Sequence, residues 1–246
     1  MFNFAKINRL SPEAYTEKLK EILGNCLKSV ILYGSAASGE YFGGKSDYNL
    51  LLIAEHWGIL ELNQLAKVTQ QWLKEGNPPP LLFTFERMQA SVDCFPIEML
   101  DMKQNHRLLH GVDILTDIKV QPVHLRLMTE RELKTLKIQL RQGFVMAEGD
   151  PKKVAELMES TLSTSIVLFR AALRLYIDTV PMKKHEVLLA IAEKVKGVDL
   201  EAFEILKRFK HEEVKVSQIN PLELFDRYMK SLMAVDDILS DTSKRG

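Results

Sequence analysis

The sequence predicts an α+β protein: an N-terminal half of strands and helices built on a mixed sheet, followed by an all-α antiparallel helical bundle. Three observations predict this. Short apolar runs alternate with amphipathic stretches through the first half of the chain. Beyond Gln121-Pro122 only long patterns at helical spacing remain. Short loops join those patterns, which sets successive helices antiparallel. The boundaries drawn from this change are a domain over residues 1–121 and a bundle over residues 122–246. A chain of 246 residues has room for one large domain or two modest ones.

Ser11-Pro12-Glu13 reads as a helix start: Ser caps, Pro occupies the first turn, and Glu faces the positive end of the dipole. Apolar Leu19, Ile22 and Leu23 continue that helix, and Gly24 ends it. Leu27 to Tyr33 and Asp47 to Ala54 read as buried strands. Between Ile59 and Glu75 the residues Leu60, Leu62, Leu65, Val68, Trp72 and Leu73 form a helical stripe, which Asn77-Pro78-Pro79-Pro80 breaks. Leu81 to Phe85 reads as a short strand, Glu86 to Val92 as a helical turn or two, and Cys94 to Leu100 as a further strand. In the second half, Val123 to Ala147, Pro151 to about Asp178, Lys183 to Val195, Leu200 to Phe209 and Pro221 to Leu239 read as helices.

Lys plus Arg and Asp plus Glu both total 33, so the formal net charge is zero. That balance argues against a polynucleotide partner, since nucleic-acid binders carry a basic excess. No apolar run approaches membrane-spanning length, and the first residues lack the hydrophobic stretch of a signal peptide. A cytoplasmic protein without membrane association is expected. Cys26 and Cys94 both lie in apolar runs without metal-ligand spacing, and are expected to be buried and reduced.

The candidate chemistry lies between the first two strands. The chain reads Leu32-Tyr33-Gly34-Ser35, then Gly39-Glu40, then Gly43-Gly44-Lys45-Ser46-Asp47-Tyr48-Asn49, then the apolar run to Ile53. Gly34 lets the backbone approach a phosphate closely, and Ser35 offers a hydroxyl as well as an N–H. A helix beginning near Ala36 would aim its amides at the ligand. Asp47 and Asn49 are two apart, so on a strand both face one side and can serve one cation. These residues resemble the signature of the nucleotidyltransferase superfamily, which includes DNA polymerase beta and the aminoglycoside nucleotidyltransferases: Gly-Ser, a spacer, then Asp-x-Asp or Asp-x-Glu.

The resemblance implies a nucleotidyltransferase-type sheet, a nucleoside triphosphate as substrate and Mg2+ as cofactor. It implies that Gly34, Ser35, Lys45 and Ser46 hold the nucleotide and that Asp47 and Asn49 hold metal. It also implies a third carboxylate on a later strand, activating the acceptor hydroxyl. Glu98, an acidic residue in an apolar run, is the first candidate for that catalytic and metal-binding role, with Asp93 and Asp101 as rivals. Asn49 departs from the family pattern. It offers a metal one neutral oxygen in place of a carboxylate. The missing unit charge is worth about 8 kcal/mol of attraction to a dication about 4 Å away at an effective dielectric of about 20, before screening and desolvation.

Elsewhere the signals are weaker. Arg170 and Arg174, one turn apart with Tyr176 following, could reach a phosphate or could form an ordinary helix face, and Lys137 and Arg141 pose the same choice. His106 and His110 are four apart and could share a metal if helical, with no third ligand in view. Arg208 and His211 stand too close together for a ribonuclease toxin's pair. The expected function is transfer of a nucleoside monophosphate from a nucleoside triphosphate to a hydroxyl of a small-molecule or protein acceptor. The alternative is a catalytically inactive nucleotide-binding or protein-interaction module on the same fold. The bundle offers faces on which a homodimer could form.

Overall fold

The computed structural model describes residues 9–37 and 47–242. The chain divides into two compact units, Met1–Val120 and Gln121–Gly246. Among the described residues the first unit runs α1 (Pro12–Leu23), β1 (Leu27–Tyr33), β2 (Asn49–Ala54), α2 (Ile59–Lys74), β3 (Leu81–Phe83), α3 (Phe85–Ala90), α4 (Pro96–Gln104) and β4 (His106–Gly111). The second unit runs α5 (Pro122–Met146), α6 (Pro151–Leu173), α7 (Lys184–Lys194), α8 (Leu200–Lys210) and α9 (Pro221–Thr242).

The sheet order is β3-β2-β1-β4. β1 is antiparallel to both neighbours, while β2 and β3 are parallel, so the sheet is mixed. β1 and β2 are buried on both faces, which is why they read as continuous apolar runs. Val30, Leu32, Leu50 and Leu52 pack with Tyr15, Leu19, Leu65 and Trp72 from α1 and α2. Ile31, Leu51 and Ile53 face the other way, onto Met88, Met99, Met102 and Leu115. Ser11 caps α1 as the sequence predicts, its Oγ accepting the Ala14 N–H at 3.1 Å, and Gly24 ends the helix at φ +49°.

Several expectations fail here. Cys94 to Leu100 is not a strand: residues 91–95 form a turn and bend, and Pro96 opens α4. Pro in a first helical turn is a start signal, and Ile97, Met99 and Met102 bury one face while Glu98 faces solvent. The fourth strand is instead β4, in the segment where a helical histidine pair was considered. In a strand, residues four apart lie about 13 Å from each other, too far to share one metal. Both cysteines are free, but where burial was expected Cys26 is half-buried and Cys94 is exposed.

β4 is fastened at its end as well as along its ladder. Buried Ser29 donates from Oγ to the Val112 carbonyl at 2.6 Å and accepts the Val112 N–H at 3.2 Å. Gly111 sits at φ +81°, and a Cβ there would lie 1.8 Å from the Lys28 carbonyl oxygen.

In the second unit α6 is the central helix, packing against α5, α7, α8 and α9. From Ser165 to Leu173 it is buried almost all round, as a central helix must be. It ends at Leu173, short of the Asp178 that periodicity suggests. Arg170 is buried and donates to the Met182 carbonyl at 3.1 Å, while Lys137 pairs with buried Asp236. Both therefore have structural partners inside the bundle. Arg227 clamps the α8 N-terminus, bonding Asp199 at 2.6 Å and Glu201 at 2.6 Å. The Arg227 hydrogen bond, reinforced by the Ala202 N–H, holds the Asp199 carboxyl below its ordinary range against partial desolvation. No helix among the described residues is long and apolar enough to cross a membrane.

Two outcomes are expected. Gly111→Ala lowers unfolding stability by about 2–4 kcal/mol in denaturant titration, because positive φ and a backbone clash coincide. A depressed carboxylate stabilises the fold above its unfolded pKa and loses that contribution as pH falls through its folded pKa. Arg227→Gln therefore destabilises the protein at neutral pH and makes the fall in thermal stability below about pH 4 shallower, in melts across that range.

Candidate functional site

The candidate site gathers where β1 ends and β2 begins. Gly34 leaves β1 at φ +81°, a conformation glycine adopts readily. Residues 35–37 form a turn, closed by the Ala37 N–H donating to the Gly34 carbonyl at 3.0 Å. Ser35 is exposed on that turn. Lys45 and Ser46, together with Gly39, Gly43 and Gly44, lie outside the described residues.

Asp47 is exposed and precedes β2, whose ladder starts at Asn49 rather than Asp47. Asn49 is paired across the sheet with Tyr33, and Tyr33 with His106 on β4. The Asn49 amide lies against the Gly34 turn: a Cβ on Gly34 would be 3.3 Å from Asn49 Nδ2. Alternation places Asn49 on the same sheet face as Leu51 and Ile53, the face covered by α4. Tyr33 packs against that cluster too, and burial pushes its phenol up.

Glu98, expected on a strand, is on α4 and exposed. Its two rivals are placed differently from each other. Asp93 is exposed in the turn before α4, whereas Asp101 is half-buried on α4, one turn from the cap Asn105. Asn105 touches Gly34 directly, so along the helix Asp101 is about 6 Å from that contact and Glu98 about 10 Å.

Two asparagines that sequence reasoning missed hold this corner. Asn105 brackets Gly34: its carbonyl accepts the Gly34 N–H at 3.1 Å, and its Nδ2 donates to the Gly34 carbonyl at 2.7 Å. Asn77, 3% exposed, fixes the approach to β2. Its Oδ1 accepts the Tyr48 N–H at 3.1 Å and Arg9 Nη2 at 2.9 Å, and its Nδ2 donates to the Trp72 carbonyl at 3.3 Å. The Arg9 guanidinium lies 5.1 Å from the Tyr48 ring centroid, and that ring is 5.8 Å from Trp72. Neither asparagine carries a sequence signal beyond the ordinary preference of Asn for turns.

His106 serves the fold. Its Nε2 lies 2.9 Å from Asp113 Oδ2 and its Nδ1 3.0 Å from the Lys103 carbonyl oxygen. Desolvation pushes the Asp113 carboxyl up, but hydrogen bonds from His106 and the backbone outweigh it and leave the group below its ordinary value.

No family model matches the sequence, and no curated protein matches it. Among solved structures, the fold matches the crystal structure of spectinomycin adenyltransferase AAD(9) from Enterococcus faecialis with ATP and spectinomycin. The TM-score is 0.55 at 12% identity, over 89% of this chain and 98% of that one. The chain shares the fold of that structure. Both units contribute to that match, as its coverage requires. At that identity the match bears on the fold alone.

Asn105→Ala is expected to lower unfolding stability by about 1–2 kcal/mol. Asn105→Asp, of the same shape but unable to donate to the Gly34 carbonyl when ionised, fails to restore it in the same denaturant titration.

Proposed function

We propose that this protein is a magnesium-dependent nucleotidyltransferase, moving a nucleoside monophosphate from a nucleoside triphosphate to a hydroxyl of a small-molecule or protein acceptor. The observation that carries the reading is the contact of the Asn49 amide with the Gly34 turn. That contact supports a reading in which the Gly34 turn would hold phosphate and Asn49, with Asp47 two residues before it, would hold a cation. The solved adenyltransferase with ATP and spectinomycin supports the choice of a triphosphate and a small acceptor.

In this reading Gly34 and Ser35 present backbone N–H groups and a hydroxyl to the phosphates, and Lys45 and Ser46, outside the described residues, are further nucleotide-binding candidates. The donor set fits a magnesium ion that the triphosphate brings with it, because Asp47 supplies a carboxylate and Asn49 one neutral oxygen. Bound there, the metal would offset charge developing on the transferred phosphoryl group and on the departing pyrophosphate. The carboxylate that orients or deprotonates the acceptor hydroxyl comes from α4. Glu98 is the first candidate, and half-buried Asp101, nearer the Gly34 turn along the helix, is the strongest rival.

Asn49 also favours a second reading, in which the corner binds nucleotide without turning it over. One unit of negative charge fewer beside a dication weakens metal binding strongly. Calorimetric titration with ATP and the other triphosphates, with and without magnesium, separates the two. Magnesium-dependent binding is expected, along with incorporation of labelled nucleotide into an acceptor that falls at least about hundredfold in Asp47→Ala. Incorporation unchanged in that variant would remove Asp47 from the site. Asn49→Asp is expected to tighten magnesium-dependent binding by about tenfold or more. Magnesium-dependent turnover appearing only in that variant would identify a decayed enzyme.

A further inference from the structure

At the end of β1 and β2 away from Gly34, three side chains unused by the proposed transfer come together. Cys26 closes the 3-10 turn Gly24–Cys26 just before β1, and His56 follows β2. The Glu55 N–H donates to the Cys26 carbonyl at 2.9 Å, tying the two segments. Cys26 Sγ lies 3.9 Å from His56 Nδ1 and 3.6 Å from the His56 carbonyl oxygen. On the other edge of the imidazole, His56 Nε2 lies 3.3 Å from Glu61 Oε1.

Glu61 is itself held. It stands in the first turn of α2, and its Oε2 accepts the Gly58 N–H at 3.0 Å. A Cβ on Gly58 would come within 2.8 Å of that oxygen, so glycine permits the contact. Hydrogen bonds from its own backbone N–H and from Gly58, with His56 nearby, hold the Glu61 carboxyl below its ordinary value against slight desolvation. The remaining charged neighbours are Glu55 and Lys28, which pair with each other at 3.0 Å. Nucleophile, base and orienting carboxylate thus follow one another in contact order.

We propose that Cys26, with His56 as its base and Glu61 as the group that orients His56, is a site of reversible S-thiolation by low-molecular-weight disulfides. With Nε2–H donating to Glu61, Nδ1 presents a lone pair to the thiol. The Sγ proton passes to Nδ1, and the thiolate attacks one sulfur of the disulfide. A new S–S bond forms as the old one breaks, and the other half leaves as a thiolate that takes up the proton from His56. Cys26 is oxidised and the departing sulfur reduced, so no further oxidant is needed. The His56 side chain is 63% exposed, so a small disulfide can reach the pair.

Cys94 provides the internal control. It is the more exposed cysteine, but Asp93 hydrogen-bonds it and adds a like charge, which pushes its thiol up. Exposure alone would favour Cys94, and the local chemistry favours Cys26. The assignment does not depend on the nucleotide site.

The test incubates the full-length protein with oxidised glutathione at neutral pH and locates the modified cysteine by peptide mass. Cys26 is expected to react at least about tenfold faster than Cys94. His56→Ala, and His56→Gln as a polar replacement, bring Cys26 down to the rate of Cys94. Glu61→Gln gives an intermediate rate. Modification of Cys94 first or equally, a Cys26 rate unchanged by both His56 variants, or no modification at all overturns the proposal.

Discussion

The Gly34 backbone is held from one direction by a single residue. Its N–H donates to the Asn105 carbonyl and its carbonyl accepts from the Asn105 side chain. That pair of bonds joins the end of β1 to the segment between α4 and β4, so the turn, the helix end and the edge strand cannot move independently. β1 supplies the rigidity behind it, with Val30 and Ile31 fully buried on opposite faces. In the proposed reading such support favours phosphate binding, because donors already in place need no reordering when a ligand arrives. Asn77 does the equivalent work on the β2 side through the Tyr48 N–H, with the Tyr15–Trp72 stack beneath it at 4.7 Å.

Asn49 gives this corner a neutral amide where the resembled signature has a carboxylate. Asn49 occupies the first ladder position of β2, and its amide rests against Gly34. In the proposed reading Asn49 would be a metal ligand, and an amide is a weak, neutral one. Shape and charge therefore point in different directions. The match to a solved adenyltransferase at 12% identity bears on shape. The charge is a property of this chain, and the two proposed readings differ over its consequence.

Local grammar was legible wherever one short segment dictated its own structure. Ser11-Pro12 began a helix, Pro151 began another, and β1 and β2 announced themselves as buried runs. It misled where two readings share one composition. Phe95 to Leu100 is apolar enough for a strand, yet Pro96 starts a helix that buries Ile97, Met99 and Met102 against the sheet. His106 to Gly111 carries two histidines and an arginine and gave no strand signal. It is a strand because β1 has a free edge to pair and Gly111 can bring its backbone onto Lys28.

By itself the sequence determined the α+β class, the Gly34-Ser35 turn, the Asp47-x-Asn49 spacing and the run of helices after Pro122. Each of these rests on periodicity or on the backbone freedom of a few adjacent residues, which a linear chain records directly. Only the tertiary structure decided that Glu98 stands on a helix, that Asn105 and Asn77 brace the corner, and that Cys26 meets His56 and Glu61. Those facts depend on which distant segments are brought together. A side chain that bonds a backbone group 71 positions away leaves no trace in its own neighbourhood of the sequence.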